Sequence, residues 1–508
     1  MIINDIRLPF DHTNEQLENK IKQKSGLKNI YRYDIKRKSL DARNKKNILY
    51  VYSVEVCAKK EDYIEKKILL DEIKEISAKT RPAIAGTGPA GLFCGLYLAK
   101  AGLRPILLER GKEVSRREKD VENFKSNRIL DENSNIQFGE GGAGTFSDGK
   151  LNTGVSGTIA KEVLEVFARY GAGEEITYTA KPHVGTDVLR DVVENIRNEI
   201  ISLGGEFRFE SCLKDWDSQG GKINKVCADI DIETDCLVLA VGHSARDTFE
   251  LAHKKGAFME PKPFSVGLRI EHPQSLINKA QYGMEHSALP AADYKLSHHL
   301  DSGRGAYTFC MCPGGYVVGA TSEKNQVVTN GMSYRARDGV NANSALLVSV
   351  TPDDFKSGVL SGIEFQREIE RKAFEEGGGN YDAPCQLLGD FMKNQTSEGF
   401  GSVKPTCFPD VKKADLTKVL PDFVCDGLKV AIPEMAKRIK DFDLYDAILT
   451  APETRSSSPV RILRNEDFES NIKGLYPAGE GAGYAGGITS SAADGIKAAL
   501  KIIEKYKA

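Results

Sequence analysis

Apolar residues recur at strand spacing over Ile2–Leu8, Ile30–Lys36 and Ile48–Ala58, with a helical pattern over Asn14–Lys24 after the first of them. This order predicts a small α+β unit over residues 1–80, followed by a linker-like Ser77–Pro82. Pro82–Ala85 then reads as a short apolar strand, Leu92–Lys100 as a helix ended at Gly102, and Arg104–Glu109 as a second strand. From about 265 to 450 the chain is richer in Tyr, Asn, Arg and irregular Gly/Pro turns, which predicts a mixed β-rich domain. Residues 474–507 return to a short apolar strand, a glycine run and a helix over Ser490–Lys507. No segment recurs with a period of about 20–50 residues, which argues against a solenoid or propeller.

Between the strand ending at Ala85 and the helix from Leu92 stands Gly86-Thr87-Gly88-Pro89-Ala90-Gly91, and the next strand ends on Glu109, eighteen residues beyond Gly91. Each part has a physical reason in a dinucleotide site. Gly86 permits the tight turn, Gly88 removes the side chain where a pyrophosphate approaches, and Gly91 lets helix and strand pack closely. The helix N-terminus, with Pro89 and Ala90, turns free N–H groups and a partial positive charge toward the phosphates. Glu109 is the expected acceptor for the ribose hydroxyls. The motif alone does not choose between NAD and FAD.

Composition narrows the class. With 508 residues, 70 basic against 72 acidic side chains and 40% hydrophobic residues, the chain is neither a polycation nor a disordered polymer. It is long enough for two to four domains. Residues 1–80 carry eighteen basic and thirteen acidic side chains, so a basic unit precedes an acidic remainder. Seven of those cations crowd the Arg32–Lys46 hairpin against two acids, which opens RNA as a partner beside the plainer reading of a solvated surface. The start of the chain has no secretory pattern, and no run approaches the 18 apolar residues of a membrane span, so a cytoplasmic protein without membrane contact is expected. The ten cysteines form no zinc or iron–sulfur set, and no metal site is expected. The closest pair, Cys310 and Cys312, raises thiol redox work, but has the wrong spacing for the common dithiol motif and reads rather as buried small hydrophobes.

Near the end of the chain, Gly474–Ile488 contains a second GxGxxG (Gly481, Gly483, Gly486), but no acid-terminated strand follows it. A second nucleotide domain is therefore not expected. The segment reads instead as a short strand, an acid and a helix N-terminus. Glu480, after Gly479, can accept from a ribityl hydroxyl, and the N–H groups of Gly486, Gly487 and Ile488 can face the flavin N1/C2=O edge. That arrangement favours FAD.

With these motifs the chain resembles the glutathione-reductase-like FAD proteins, and more closely the bacterial FAD-dependent proteins also labelled NAD(FAD)-utilising dehydrogenases. The resemblance runs over nearly the whole length. It is carried by Asn135–Lys150, Lys181–Asp187, Gly242–Thr248, Tyr307–Gly315 and Glu453–Arg461. It implies an α/β fold: a Rossmann-type FAD/NAD(P)-binding domain in two parts (81–264 and 452–508), an inserted substrate domain (265–451) and the N-terminal domain (1–80). It also implies that Gly141, Gly142 and Lys150 lie beside the pyrophosphate and flavin, and that Ala240-Val241-Gly242 ends a strand against the nucleotide. Leu213 is implied to be the apolar neighbour of adenine, with Arg110 alongside Glu109. By family label only, NAD(P)H is a transient donor.

Flavin would carry the redox step, leaving the protein to orient substrate and move protons. His183, His243 and His272 are candidate proton donors, each set against a structural role. Arg269 and Glu271 fall on one face if their segment is a strand, where they bind an anion or pair with each other. Arg335 and Arg337 alternate similarly. Glu453 and Arg455, near the return to the FAD domain, are the better-placed pair. The expected function is FAD-dependent oxidation or reduction of a small-molecule substrate. The alternatives are a flavin-dependent RNA-modifying enzyme and a non-catalytic FAD-bearing redox sensor.

Overall fold

The computed structural model describes residues 1–63, 66–151 and 157–507. Its first unit is an antiparallel sheet in the order Ile2–Pro9, Leu49–Cys57, Arg32–Asp41, covered by the helix Asn14–Ser25. Alternation places Ile6, Leu8, Tyr52, Val54 and Val56 on the helix side, where Leu17 and Ile21 meet them. Thr13 and Gln16 form a capping box, and Gly26 ends the helix at φ 72°.

The strand Arg32–Asp41 runs five residues beyond the expected Lys36, because its register with the neighbouring strand continues to Asp41 opposite Leu49. Its outer edge is not free. The Lys38 N–H donates to the Tyr178 carbonyl at 2.8 Å, and the Ala180 N–H donates back to Lys38 at 2.9 Å. Much of the hairpin's charge is also engaged: Arg32 pairs with Asp34, Lys36 with Glu55 and Arg43 with Asp41. The Lys38 ammonium lies over the Tyr50 ring, and Lys45 donates to the Ala280 carbonyl.

The second sheet is parallel, in the order Leu475–Pro477, Leu237–Leu239, Ala83–Ala85, Ile106–Leu108, Glu206–Arg208. Its central strands are apolar on both faces because both are covered, one by helices and the other by a three-stranded antiparallel sheet (Asp215–Gln219, Lys222–Cys227, Asp231–Glu233) with the helix Arg246–Lys254. The helix Pro89–Lys100 starts three residues earlier than expected, inside the glycine motif. Proline fits its first turn, where a backbone N–H would have no partner. Every residue from Ala90 to Ala99 is buried, and the C-terminal helix Ile488–Lys507 packs along it. A Cβ at Gly495 would lie 2.1 Å from the Ala90 carbonyl oxygen, so this helix pair meets backbone to backbone.

A seven-stranded sheet takes its strands from Phe264 to Glu453, in the order Ser297–His299, Gly305–Cys312, Asn341–Val350, Phe264–Pro273, Ile448–Glu453, Ala383–Leu387, Val411–Lys413. Only the last pairing is parallel. Phe264–Pro273 is buried almost end to end. His272 is wholly buried there, with Nε2 at 2.7 Å from the Phe442 carbonyl and its ring against Phe442. It is a core residue and not a proton donor to a site. Arg269 and Glu271 do not pair with each other: Glu271 accepts from Thr406 and Asn341, whereas Arg269 turns to Glu453.

One buried network joins the two large sheets. Glu370, on the helix Ser361–Glu376, accepts from Arg246 Nη2 (2.8 Å), Arg455 Nε (3.0 Å) and Nη2 (2.8 Å), and Thr454 Oγ1 (2.6 Å). Burial alone would raise its pKa, but the two guanidiniums bring it down to about 2. Removing the carboxylate leaves buried Arg455 with hydroxyl partners alone, and Arg246 with Glu323 as its one counter-charge. Glu370→Ala is therefore expected to lower unfolding stability by about 3–5 kcal/mol, read from the urea midpoint at unchanged m. An unchanged midpoint would show that the network does not hold the sheets together.

Candidate functional site

A cavity of about 320 Å³ opens where the parallel strands end. Ala85, Leu108, Ala240 and Glu480, each at or just past a strand's C-terminal end, all line it, and that is where open α/β sheets bind ligands. Gly86, Gly88, Pro89, Ala90, Glu109, Arg110, Gly142, Lys150, Leu213, Val241, Gly242, Gly486, Gly487 and Ile488 line it too. Gly91, Gly141 and Gly479 stand behind the wall and shape it. A Cβ at 91 would sit 1.9 Å from the Gly86 carbonyl oxygen, the Gly141 N–H donates to Thr87, and the Gly479 N–H donates to Asp494. Of the candidate catalytic residues, His243, Glu453 and Arg455 reach the cavity, whereas His183, Arg269 and His272 do not.

The glycine loop is built to leave room. Gly88 precedes the helix Pro89–Lys100, with no side chain capping its first turn. A Cβ added at Gly88 would meet nothing nearer than the Gly142 Cα at 3.8 Å. The loop thus presents unpaired N–H groups beside a notch that the fold leaves empty, which suits a phosphate chain.

Glu109 does not play the part its position suggests. Its Oε2 accepts from the Thr87 N–H (2.9 Å) and hydroxyl (2.7 Å), and its Oε1 from the N–H groups of Gly111 (3.1 Å) and Gly139 (3.0 Å). Four protein donors fill the four acceptor positions of the carboxylate. Glu109 therefore clamps two glycine loops together and has no lone pair left for a ribose. Arg110, beside it, stacks on Phe138 and pairs with Asp247.

The opposite end of the cavity holds the titratable groups. Burial pushes the carboxyl of Glu453 up to about 7, although Arg269 Nη1 donates to it at 3.0 Å. Glu480 is likewise raised by burial to about 7, with Lys262 opposing. His243 goes the other way: burial, then the charges of Arg455 and Arg246, bring it down to about 3. It is neutral at ordinary pH, with Nδ1 3.0 Å from the Ser244 hydroxyl, which also donates to Gln137 Oε1 at 3.1 Å. Arg455 does not pair with Glu453. It joins Glu370, Ser244 and Ser322 and so fixes the wall next to His243. His183 lies beside Arg335, with Nε2 3.3 Å from that residue's carbonyl, and burial lowers its pKa. Arg335 and Arg337 are ion-paired with Glu175 and Asp148.

Ser244, Asp148 and Cys310, which are not among the expected site residues, also line the cavity. The first two lie inside motifs that the sequence marks, Gly242–Thr248 and Asn135–Lys150. Cys310 carried a visible signal, the CxC, but its spacing hid its position. Among the described residues no cluster of His, Cys, Asp and Glu suits a metal ion, and no helix is long and apolar enough to cross a membrane.

Residues 263–456 match the family "FAD-dependent protein, C-terminal domain-like", and residues 1–57 match a domain of unknown function (DUF8436). An "Uncharacterized protein" of Clostridium beijerinckii (strain ATCC 51743 / NCIMB 8052) is 48% identical over 525 residues, covering 99% of this chain and 98% of its own. The chain belongs to this FAD-dependent protein family. Solved structures overlap the family fold only loosely. The flavin-dependent brominase Bmp2 is 14% identical, with 84% of this chain and 79% of its own covered at a TM-score of 0.40. The glycine oxidase of Bacillus cereus ATCC 14579 is 11% identical, with 84% and 95% covered at 0.34. Overlaps this loose bear on neither substrate nor chemistry.

The raised carboxyls predict a pH dependence. Between the ordinary carboxylate range and about pH 7, Glu480 binds more proton in the folded than in the unfolded chain. Its contribution to stability is therefore present at low pH and lost as pH rises through that window. Thermal melts from about pH 5 to about pH 8 are expected to show a shallower decline for Glu480→Gln than for wild type. Parallel profiles would contradict the assignment.

Proposed function

We propose that the chain is an FAD-dependent oxidoreductase of glutathione-reductase-like type that acts on a small molecule in this cavity. The observation that carries the reading is the empty notch at Gly88 beside an uncapped helix N-terminus, in a chain of an FAD-dependent family. Gly88, Gly142 and the first turn of Pro89–Lys100 would hold the pyrophosphate of a Rossmann-type site, with Leu213 and Arg110 toward the adenine end. Lys150, Glu480 and the N–H groups of Gly486–Ile488 would surround the flavin end. Bound FAD supplies hydride or electron transfer. What the chain adds is position and protons. Glu453, with a carboxyl near neutrality, is the group suited to give or take a proton there, and Arg455 and Ser244 hold the facing wall. NAD(P)H serves in this proposal as a transient electron donor that reaches the cavity from solvent.

The small-molecule reading is favoured over RNA because the hairpin cations Arg32, Lys36, Lys38, Arg43 and Lys45 are already engaged within the chain. Anaerobic rapid mixing with NADH and with NADPH tests the enzyme reading. One of them is expected to bleach the flavin absorbance within the mixing experiment. Flavin that neither donor bleaches, and that no substrate reoxidises after photoreduction, would favour the sensor reading instead.

The cradle itself has a sharper test. Gly88 has ordinary backbone angles and space for a side chain, whereas Gly91 has none. Gly88→Val is expected to keep the wild-type circular dichroism and melting temperature of the FAD-free protein while losing FAD retention. Gly91→Ala is expected to lose the fold. A Gly88→Val protein that still binds FAD with wild-type affinity would place the cofactor elsewhere.

A further inference from the structure

The strand Gly305–Cys312 loses its register with Asn341–Val350 between Phe309 and Cys312. At this bulge Cys310 adopts φ 41°, a left-handed conformation that side-chain-bearing residues rarely take. Bulges re-aim side chains and gather at active sites, and an unfavourable backbone persists only where its surroundings hold it. Here the effect is specific. Cys310 lines the cavity near Glu453 and Lys150, while Cys312 is fully buried. The two cysteines are neighbours across this bulge, and the Cys312 thiol donates to the Cys310 carbonyl at 3.3 Å.

The surroundings favour a thiolate at Cys310. Arg269 Nη2 donates to the Cys310 carbonyl at 3.0 Å and lies 3.7 Å from the Cys312 sulfur. The buried Lys150 ammonium, on the facing loop, has no hydrogen-bond acceptor among the described residues, and its nearest carboxylate oxygen, on Asp148, is 3.4 Å away. Asp148, Glu453 and Glu480 oppose this with negative charge when ionised. The Cys312 hydrogen bond, helped by Lys150 and Arg269 and opposed by burial, brings the Cys310 thiol down to about 6, and Cys312 is raised well above the usual thiol range. The two thiols are thus shifted in opposite directions, which favours the thiolate on Cys310, at the cavity, and the thiol on Cys312, behind it.

We propose that Cys310 and Cys312 are a redox-active thiol pair that exchanges an electron pair with the bound flavin and, through Cys310, with a small thiol or disulfide in the cavity. This rests on the FAD reading above. In the oxidising direction the Cys310 and Cys312 sulfurs join, the Cys312 S–H bond breaks, and two electrons with that one proton pass to oxidised FAD. The products are the disulfide and anionic reduced flavin. In the reverse direction the electron pair opens the disulfide. A small disulfide in the cavity is attacked by Cys310, releases one thiolate, and leaves a mixed disulfide that Cys312 resolves.

The test is an anaerobic dithionite titration of the air-oxidised, FAD-loaded protein, with peptide mass mapping after alkylation. The wild type is expected to take up four electrons per flavin, and Cys312→Ser and Cys310→Ser two, since each thiol–disulfide couple holds one pair. The oxidised wild-type peptide spanning 310–312 is expected two hydrogens lighter than its reduced form. Two electrons per flavin, with both cysteines alkylated in the oxidised protein, would overturn the proposal. Cys310→Ser, altered on the cavity side, guards against misfolding of the buried Cys312→Ser. A chain that takes up no FAD would sink the flavin reading instead. The FAD-free chain treated with an aromatic disulfide then tests the pair alone: a Cys310–Cys312 disulfide supports it, and two separately blocked thiols overturn it.

Discussion

Contact of backbone with backbone is the constraint on which the cavity depends. A side chain at Gly91 would collide with the Gly86 carbonyl, one at Gly86 with the Ala240 carbonyl, and one at Gly481 with the Gly242 carbonyl, at 1.9, 2.4 and 2.4 Å. Gly111 and Gly139 stand as close to each other, with a Cβ on the first falling 2.6 Å from the second's Cα. These contacts draw the loops after several strands together, so that main-chain N–H groups rather than side chains face the space between them. Glu109 completes the arrangement by tying the Gly86–Gly91 loop to the Gly139 loop through four hydrogen bonds. A minority of the chain's 48 glycines line or back the cavity, and there they share this purpose. At other cavity positions the backbone stays open: a Cβ at Gly88 would meet nothing nearer than 3.8 Å, and one at Gly242, Gly486 or Gly487 nothing within 4 Å.

Electrostatics separates carboxylates that burial alone would treat alike. Glu370 and Glu453 are both buried. Glu370 lies between the guanidiniums of Arg246 and Arg455 and stays ionised, down to about 2. Glu453 has one guanidinium, which Arg269 also shares with Asn343 and the Cys310 carbonyl, and it rises to about 7. The first is a structural staple and the second keeps its proton available. Two titratable groups driven apart by their surroundings, Glu453 lining the cavity and Glu370 behind it, are a sign of separate roles.

What could be read from the residues alone follows the distance over which each feature is determined. The Gly86–Gly91 loop, its strand and its helix are local, and their spacing carries the geometry. The N-terminal unit was legible for the same reason, with alternating Ile6, Leu8, Val54 and Val56 as its signature. The saturation of Glu109 was not legible, because one donor, Gly139, lies thirty residues away. His272 looked equivalent to His243 because both follow an apolar run, yet register buries one against Phe442 and turns the other to the cavity. Arg455 was placed correctly at the site and given the wrong partner, since Glu370 comes from a helix with no motif of its own. The cavity position of Cys310 was not legible, because spacing arguments assume regular strands and a bulge breaks that assumption.

The central claim is that this cavity holds FAD. Equilibrium titration of the FAD-free protein, followed by quenching of flavin fluorescence and by the absorbance of the isolated complex, tests it most directly. The account predicts saturation at one FAD per chain, with competition by ADP, which carries the adenosine and pyrophosphate part alone. A purified, folded chain that carries no flavin and takes up none would contradict it.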